Sequence, residues 1–333
     1  MDESLPGARV HGGSDDPRLV DFSVNLNPYG PCEPVLAAAR AAELAHYPDA
    51  AARQPRAAWA EALACDPSEL AVGHGAADLL WAIARAFLRP GARALIAEPT
   101  FSEFRIAAAA TGAEVVRVGA TLKLQLDALH EADALYLCSP NNPTGEYVEP
   151  ARIAALARAL PRTAIVLDQS FLGMSAHARD ARAALPANVI RVRSLTKEFA
   201  CPGLRIGLCR AQPAWIERIE RQRPTWATSS PALAALTASA REGEFVRRSF
   251  ERMRADRDAI AALLTARGYR VHASETTYQL VEVDDAAAFT AKLRAHGVLV
   301  RDCTSFGLPG HVRVAALPSA ALAAALDAVS NAR

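Results

Sequence analysis

Between Ser194 and Arg205 the chain reads Ser-Leu-Thr-Lys-Glu-Phe-Ala-Cys-Pro-Gly-Leu-Arg, so hydroxyls precede Lys197 by three residues and by one, and a guanidinium follows it by eight. A lysine amine condenses with an aldehyde, and a phosphate carried by that aldehyde suits hydroxyl donors and the planar fork of an arginine. Alone, S-x-T-K is also an ordinary basic loop. Other stretches offer the remaining parts of one site. Gly73-His74-Gly75-Ala76-Ala77-Asp78 joins an apolar run to a helical one, so its free backbone N–H groups and the helix dipole can hold a phosphate. Ser139-Pro140-Asn141-Asn142-Pro143-Thr144-Gly145 is a good turn sequence that also presents Asn142, an amide donor for a ring oxygen. Asp168 ends the run Ala164-Ile165-Val166-Leu167, where a carboxylate needs a partner or solvent. Against a pyridine nitrogen it would keep that nitrogen protonated and make the ring an electron sink. Phe101, in the loop Glu98-Pro99-Thr100-Phe101, can stack on a flat ring.

These residues need elements that bring them together. Residues 1–35 are rich in Gly, Pro and Asn and read as an extended arm of turns. Helices are expected near residues 34–44 and 54–64, the first opened by Pro34. From residue 70 short apolar runs alternate with helical stretches: strands at 70–72, 92–97, 114–118, 134–138, 164–167 and 189–192, with a helix at 77–88. Such alternation predicts a mostly parallel sheet covered on both faces. Ligands of these sheets sit outside the carboxyl ends of the strands, where the chemically suggestive residues cluster. A long helical region at 211–266, broken near 223–226 and 229–231, leads to a smaller α+β unit with strands at 269–272, 278–283, 298–301 and 311–314 and helices at 285–296 and 318–331. The division expected is an arm at 1–35, a large domain at 36–225 and a small domain at 226–333.

Composition sets bounds. With 333 residues, 51% hydrophobic and 22% charged, the chain can build substantial cores. A formal net charge of +1 gives no bulk attraction for nucleic acid or an anionic membrane. Six scattered cysteines show no C-x-x-C pair and no metal-ligand spacing with the eight histidines, so no metal is expected. The opening Met1-Asp2-Glu3-Ser4 lacks a basic stretch followed by an apolar one, and no apolar run nears the length of a membrane span. A cytoplasmic protein is the expectation.

The order phosphate turn, aromatic loop, N-N-P-T-G, Asp168 and S-x-T-K with Arg205 resembles the fold type I, aspartate-aminotransferase-like enzymes that use pyridoxal 5'-phosphate. The resemblance implies an α/β fold: a large domain with a mostly parallel seven-stranded sheet, plus a small α+β C-terminal domain. It makes Lys197 the Schiff-base lysine, Asp168 the partner of the pyridinium nitrogen, Asn142 the contact of the ring hydroxyl and Phe101 the stacking ring. Gly75, Ala76, Ala77, Ser194, Thr196 and Arg205 would hold the phosphate. Tyr47, in His46-Tyr47-Pro48-Asp49, resembles the tyrosine that reaches the phosphate in the partner subunit's site, which implies a homodimer with shared active sites.

Within this family several segments are similar to threonine-phosphate decarboxylases of cobalamin biosynthesis: His11-Gly12-Gly13, the run Asp21-Phe22-Ser23-Val24-Asn25-Leu26-Asn27-Pro28, Pro202-Gly203-Leu204-Arg205 and Arg301-Asp302-Cys303. Phe171 points the same way, because many aminotransferases of the group carry a tyrosine there. The resemblance implies a small amino acid phosphate as substrate, with Arg313 gripping its carboxylate and His11, Asn142 and Arg301 at its other groups. Decarboxylation of threonine phosphate is thus the leading expectation. A class I/II aminotransferase such as one acting on histidinol phosphate is the alternative, and a non-catalytic cofactor-binding module a third reading. His74, Asp78 and Gln169 depart from the family's usual Asn, Glu and Glu.

Overall fold

The computed structural model describes residues 12–119, 129 and 132–331. His11 lies outside them. The first element is a short strand, β1 (Val20–Asp21), followed by helices α1 (Glu33–Arg40) and α2 (Arg53–Leu63). Strand β2 (Leu70–His74) runs straight into α3 (Gly75–Phe87), two residues earlier than the apolar pattern predicts, so the glycine turn forms the first turn of the helix itself. There follow β3 (Arg93–Ala97), α4 (Glu103–Ala110), β4 (Glu114–Val118), β5 (Ala134–Cys138), α5 (Pro150–Ala159), β6 (Ala164–Asp168), β7 (Val189–Ser194) and β8 (Ile206–Arg210). The helical region resolves into α6 (Pro213–Glu220), α7 (Ser230–Ser239) and α8 (Gly243–Thr265). Proline in the first turn opens α5, α6 and α7, and the Ser229 hydroxyl caps α7 by accepting from Ala232 N. The last elements are β9 (Tyr278–Glu282), α9 (Ala286–Ala295), β10 (Val298–Leu299), β11 (Arg301–Asp302), β12 (His311–Ala315) and α10 (Ala320–Asn331).

Seven strands form one sheet in the order β2-β8-β7-β6-β5-β3-β4, parallel throughout except for β8, which is antiparallel to both neighbours. Alternation along each strand supplies both faces. Ala134 and Tyr136 pack toward α3 and α4, whereas Leu135 and Leu137 pack toward α5. Toward the other edge, Leu70, Val72 and Leu208 share a core with α1, α2 and α7. Burial of this kind contributes about 1.5–3 kcal/mol per large aliphatic side chain, and it fixes the register that aligns the strand ends.

A separate antiparallel sheet, β11-β12-β9, lies with α8, α9 and α10 over a core containing Val281, Val312 and Val314. The single strand expected at 298–301 is divided. Val298 and Leu299 pair in parallel with Val20 and Asp21 of the arm, and Arg301 and Asp302 pair with Val312 and Arg313. The strand expected at 269–272 is reduced to one bridge, Val271 to Val281. Among the described residues no helix is long and apolar enough to cross a membrane.

The reversed β8 matters for function, because its first residue stands at the edge where the parallel strands end, with Arg205 just before it. Gly207 pairs there with both Gly73 and Ser194. A Cβ on Gly207 would meet Gly75 C at 2.5 Å and Ala76 N at 2.7 Å, both backbone atoms. Gly207→Ala is therefore expected to destabilise the fold by about 1–3 kcal/mol and to weaken phosphate binding at the turn. Urea unfolding and cofactor titration of the variant measure the two effects.

Candidate active site

The parallel strands diverge at β3 and β5, since β4 lies on one side and β6 and β7 on the other. A crevice at the carboxyl edge is the geometric consequence. A cavity of about 460 Å³ occupies it, lined by Phe101 from the β3 loop, Asn142 from the β5 loop, Thr196 and Lys197 after β7, and Arg205 before β8. Arg301 and Arg313 of the small sheet complete the wall.

Gly75, Ala76, Ala77, Asp168 and Ser194 do not themselves line this cavity. Gly75 has φ +79°, and a Cβ there would lie 2.7 Å from Arg205 Nη2, so the guanidinium sits against the helix start. No side chain caps α3, which leaves its first N–H groups for a ligand. Ser194 Oγ and Thr196 Oγ1 are 2.8 Å apart and share a hydrogen bond. Open amides, two hydroxyls and a guanidinium are a donor set for a phosphate dianion. Asp168 is buried at the end of β6, accepting Ser170 N on Oδ1 at 2.8 Å and the Tyr136 hydroxyl on Oδ2 at 3.0 Å.

The lysine loop is braced from two sides. Asn27 N donates to Lys197 O at 3.0 Å and Asn27 Nδ2 to Glu198 O at 2.9 Å, which ties the loop to the arm. Glu198 is itself buried and paired with Arg193 at 3.1 Å. Burial holds the Lys197 amine below the usual lysine range, the Arg205 and Arg313 charges push the same way, and Asp168 opposes them. Its Nζ lies 5.1 Å from the centre of the Phe171 ring. A lysine held in this state is more readily neutral, the form required of a nucleophile or base.

Arg313 is buried and donates through Nη1 to Asn142 Oδ1 and through Nη2 to Ser23 O at 2.6 Å, while its Nε has no partner. Burial lowers it to about 10. Arg301 donates to Ser305 Oγ at 2.7 Å. Sequence reasoning passed over Asn25, which lines the cavity with both amide atoms buried and unpartnered. It also passed over Arg105, Ser305 and Phe306. The only signal for Asn25 was its place in the arm's Asp21–Pro28 stretch.

Residues 17–329 match the sequence family described as aminotransferase class I and II. A histidinol-phosphate aminotransferase of Symbiobacterium thermophilum is 34% identical over 309 residues, covering 89% of this chain and 85% of that one. The chain belongs to the class I and II aminotransferases. Among solved structures, the histidinol-phosphate aminotransferase of Sinorhizobium meliloti in complex with pyridoxal-5'-phosphate superposes with a TM-score of 0.82 at 25% identity, covering 93% of this chain and 89% of that one. The L-threonine-O-3-phosphate decarboxylase of Porphyromonas gingivalis gives 0.81 at 26% identity, covering 93% and 99%. This aminotransferase has the aspartate-aminotransferase-like fold, is a pyridoxal-phosphate-dependent enzyme, and carries a donor set that suits that cofactor.

Of the departures from the family pattern, Asp78 has a local explanation. Asp78 turns back to accept His74 N at 3.0 Å and pairs with Arg223 at 2.8 Å. His74 itself is exposed and makes no side-chain cap. Gln169 is buried with its Oε1 unpartnered. Tyr47 is 78% exposed, stacks on Trp226 at 4.3 Å and does not line this chain's own cavity.

The electrostatics of Lys197 yield a test with a definite sign. Asp168 raises the lysine's pKa against burial, so Asp168→Asn should move it further down. In cofactor-free protein the pH dependence of cofactor capture would then shift to lower pH in Asp168→Asn than in the wild type.

Proposed function

We propose that this enzyme transfers the amino group of a small phosphorylated amine of the histidinol phosphate class to a keto acid. The observation that carries this reading is the 34% identity, across 89% of the chain, to a histidinol-phosphate aminotransferase. Pyridoxal phosphate, when bound, supplies an electron sink for a bond broken at the substrate Cα. The remaining work falls to this chain. Gly75, Ala76, Ala77, Ser194, Thr196 and Arg205 hold the cofactor phosphate, with the partner subunit's Tyr47 completing it across a homodimer. Asp168 faces the ring nitrogen, Asn142 the ring oxygen and Phe101 the ring face. Lys197 would anchor the cofactor and, once the substrate amine has displaced it, would as a neutral amine take the proton from the substrate Cα and pass it on to the cofactor rather than back to Cα. Arg313 grips the carboxylate of the keto acid partner, and His11, Asn142 and Arg301 meet the polar groups of the phosphorylated amine.

Phe171 supports a second reading. Its ring is buried edge-on against Tyr278 at 4.9 Å and has no hydroxyl to offer a ring oxygen. Together with the likeness to the Porphyromonas gingivalis decarboxylase, this favours loss of CO2 from threonine phosphate. Which bond breaks would depend on how the cavity residues orient the substrate, to within about an ångström.

A single-turnover experiment on the cofactor-loaded protein separates the two. Histidinol phosphate should convert the cofactor to its amine form without CO2, and a keto acid should restore it. Release of CO2 from threonine phosphate with the cofactor spectrum restored, and no conversion by histidinol phosphate, overturns the transfer reading. Lys197→Ala is expected to lower the rate of either reaction by roughly 10²–10⁴-fold, measured as the decay of the cofactor absorbance.

A further inference from the structure

We propose that His272, Glu282 and His311 form a binding site for a divalent metal ion of the zinc type. The site lies on the small sheet and is independent of the function proposed above. Glu282 ends β9 and His311 begins β12, and the two are direct partners across the antiparallel pair. His272 is brought beside them by the bridge from Val271 to Val281 and by its own N–H, which donates to Leu280 O at 2.9 Å. Alternation does the rest. Val281 and Val312 point into the core beneath α8, α9 and α10, so Glu282 and His311 share the opposite face.

One ligand atom from each residue lies within 4.8 Å of the other two. The imidazole rings are 5.5 Å apart at 43°. His272 Nε2 stands 3.0 Å from Glu282 Oε1 without the alignment of a hydrogen bond, and both that nitrogen and His311 Nδ1 are shielded from solvent and unbonded. Two imidazole nitrogens deprived of water beside one carboxylate oxygen are each left with an unmet need, and a cation meets all three. Ligands at about 2.0–2.1 Å around a tetrahedral zinc lie roughly 3.3 Å apart, so side-chain rotations on the order of 1 Å close the site.

The donor set selects the ion. Two imidazoles and one carboxylate suit zinc, cobalt or nickel, whereas calcium and magnesium require more oxygen ligands. Three protein ligands leave a tetrahedral position for water, which can arrive because the His272 and Glu282 side chains are about one-third exposed. The competing contact is Arg270 Nη1, 3.2 Å from Glu282 Oε1. Its side chain is 75% exposed, and a surface pair of that kind contributes little. None of the three proposed ligands lines the cofactor cavity. His311 nevertheless lies two residues before Arg313 on β12, about 7 Å along the strand.

The test uses the full-length, cofactor-loaded protein, stripped with a chelator and titrated with Co2+, then displaced by Zn2+. One Co2+ per chain is expected, with d–d absorption to the red of the cofactor band that disappears on adding Zn2+. His272→Ala and His311→Ala should abolish that signal while keeping the cofactor band and the far-ultraviolet circular dichroism of the wild type. Glu282→Gln, which keeps both imidazoles, should weaken binding at least roughly tenfold. Zinc should also raise the Tm of the wild type and leave that of the variants unchanged. Absence of stoichiometric Co2+ binding by the wild type, or equal binding by wild type and both histidine variants, overturns the proposal.

Discussion

The guanidinium of Arg313 joins three parts of the chain that are remote in sequence. It reaches Asn142 on the β5 loop and the Ser23 carbonyl of the arm from a strand of the small sheet. Both acceptors are neutral, so a buried positive charge is satisfied by dipoles alone and its Nε is left over. A charge in that position carries a desolvation cost that only an anion fully offsets. The same bonds that fasten the small sheet and the arm to the β5 loop therefore keep a cationic group at the cavity wall. If this contact failed, the cavity would lose part of its wall and the arm one of its moorings.

Around that contact the large sheet supplies the rest by register. Asp168 and Cys138 are direct partners at the ends of β6 and β5, and Ser194 ends β7 beside Gly207 at the start of the reversed β8. Strand ends aligned in this way put the carboxylate, the lysine loop and Arg205 at one edge with no long excursions between them. Glycine at 207 is the condition for that closeness, because the backbone of the α3 turn occupies the space of a side chain.

Much of this was legible in the sequence because local pattern carries it. Buried parallel strands announce themselves as apolar runs, and their chemistry sits in the next few residues, as with Asp168 after Leu167 and Asn142 after Cys138. The strand at 206–210 escaped the periodicity because glycine and arginine interrupt its five residues. The sequence pattern shows one strand at 298–301 because Val298, Leu299 and Val300 form an unbroken apolar run, and only tertiary pairing shows that the residues on either side of Val300 serve different sheets. The unmet need of the Asn25 amide and the trio His272, Glu282 and His311 have no local pattern, for a different reason. An unpaired amide and a three-residue constellation spread over 40 positions have no spacing signature, and they exist only after the arm and the small sheet fold.

Arg313→Lys tests the central claim most directly, because it keeps a positive charge and removes the fork. The half-reactions of the cofactor-loaded variant should be followed with glutamate, which carries a carboxylate beside its amine, and with histidinol phosphate, which does not. If Arg313 is the carboxylate receptor, kcat/KM for glutamate should fall by about 10–100-fold, the scale of a lost charge-assisted hydrogen bond, with histidinol phosphate little affected. An equal loss for both substrates would contradict this role and leave Arg313 as a brace for Asn142 and the arm.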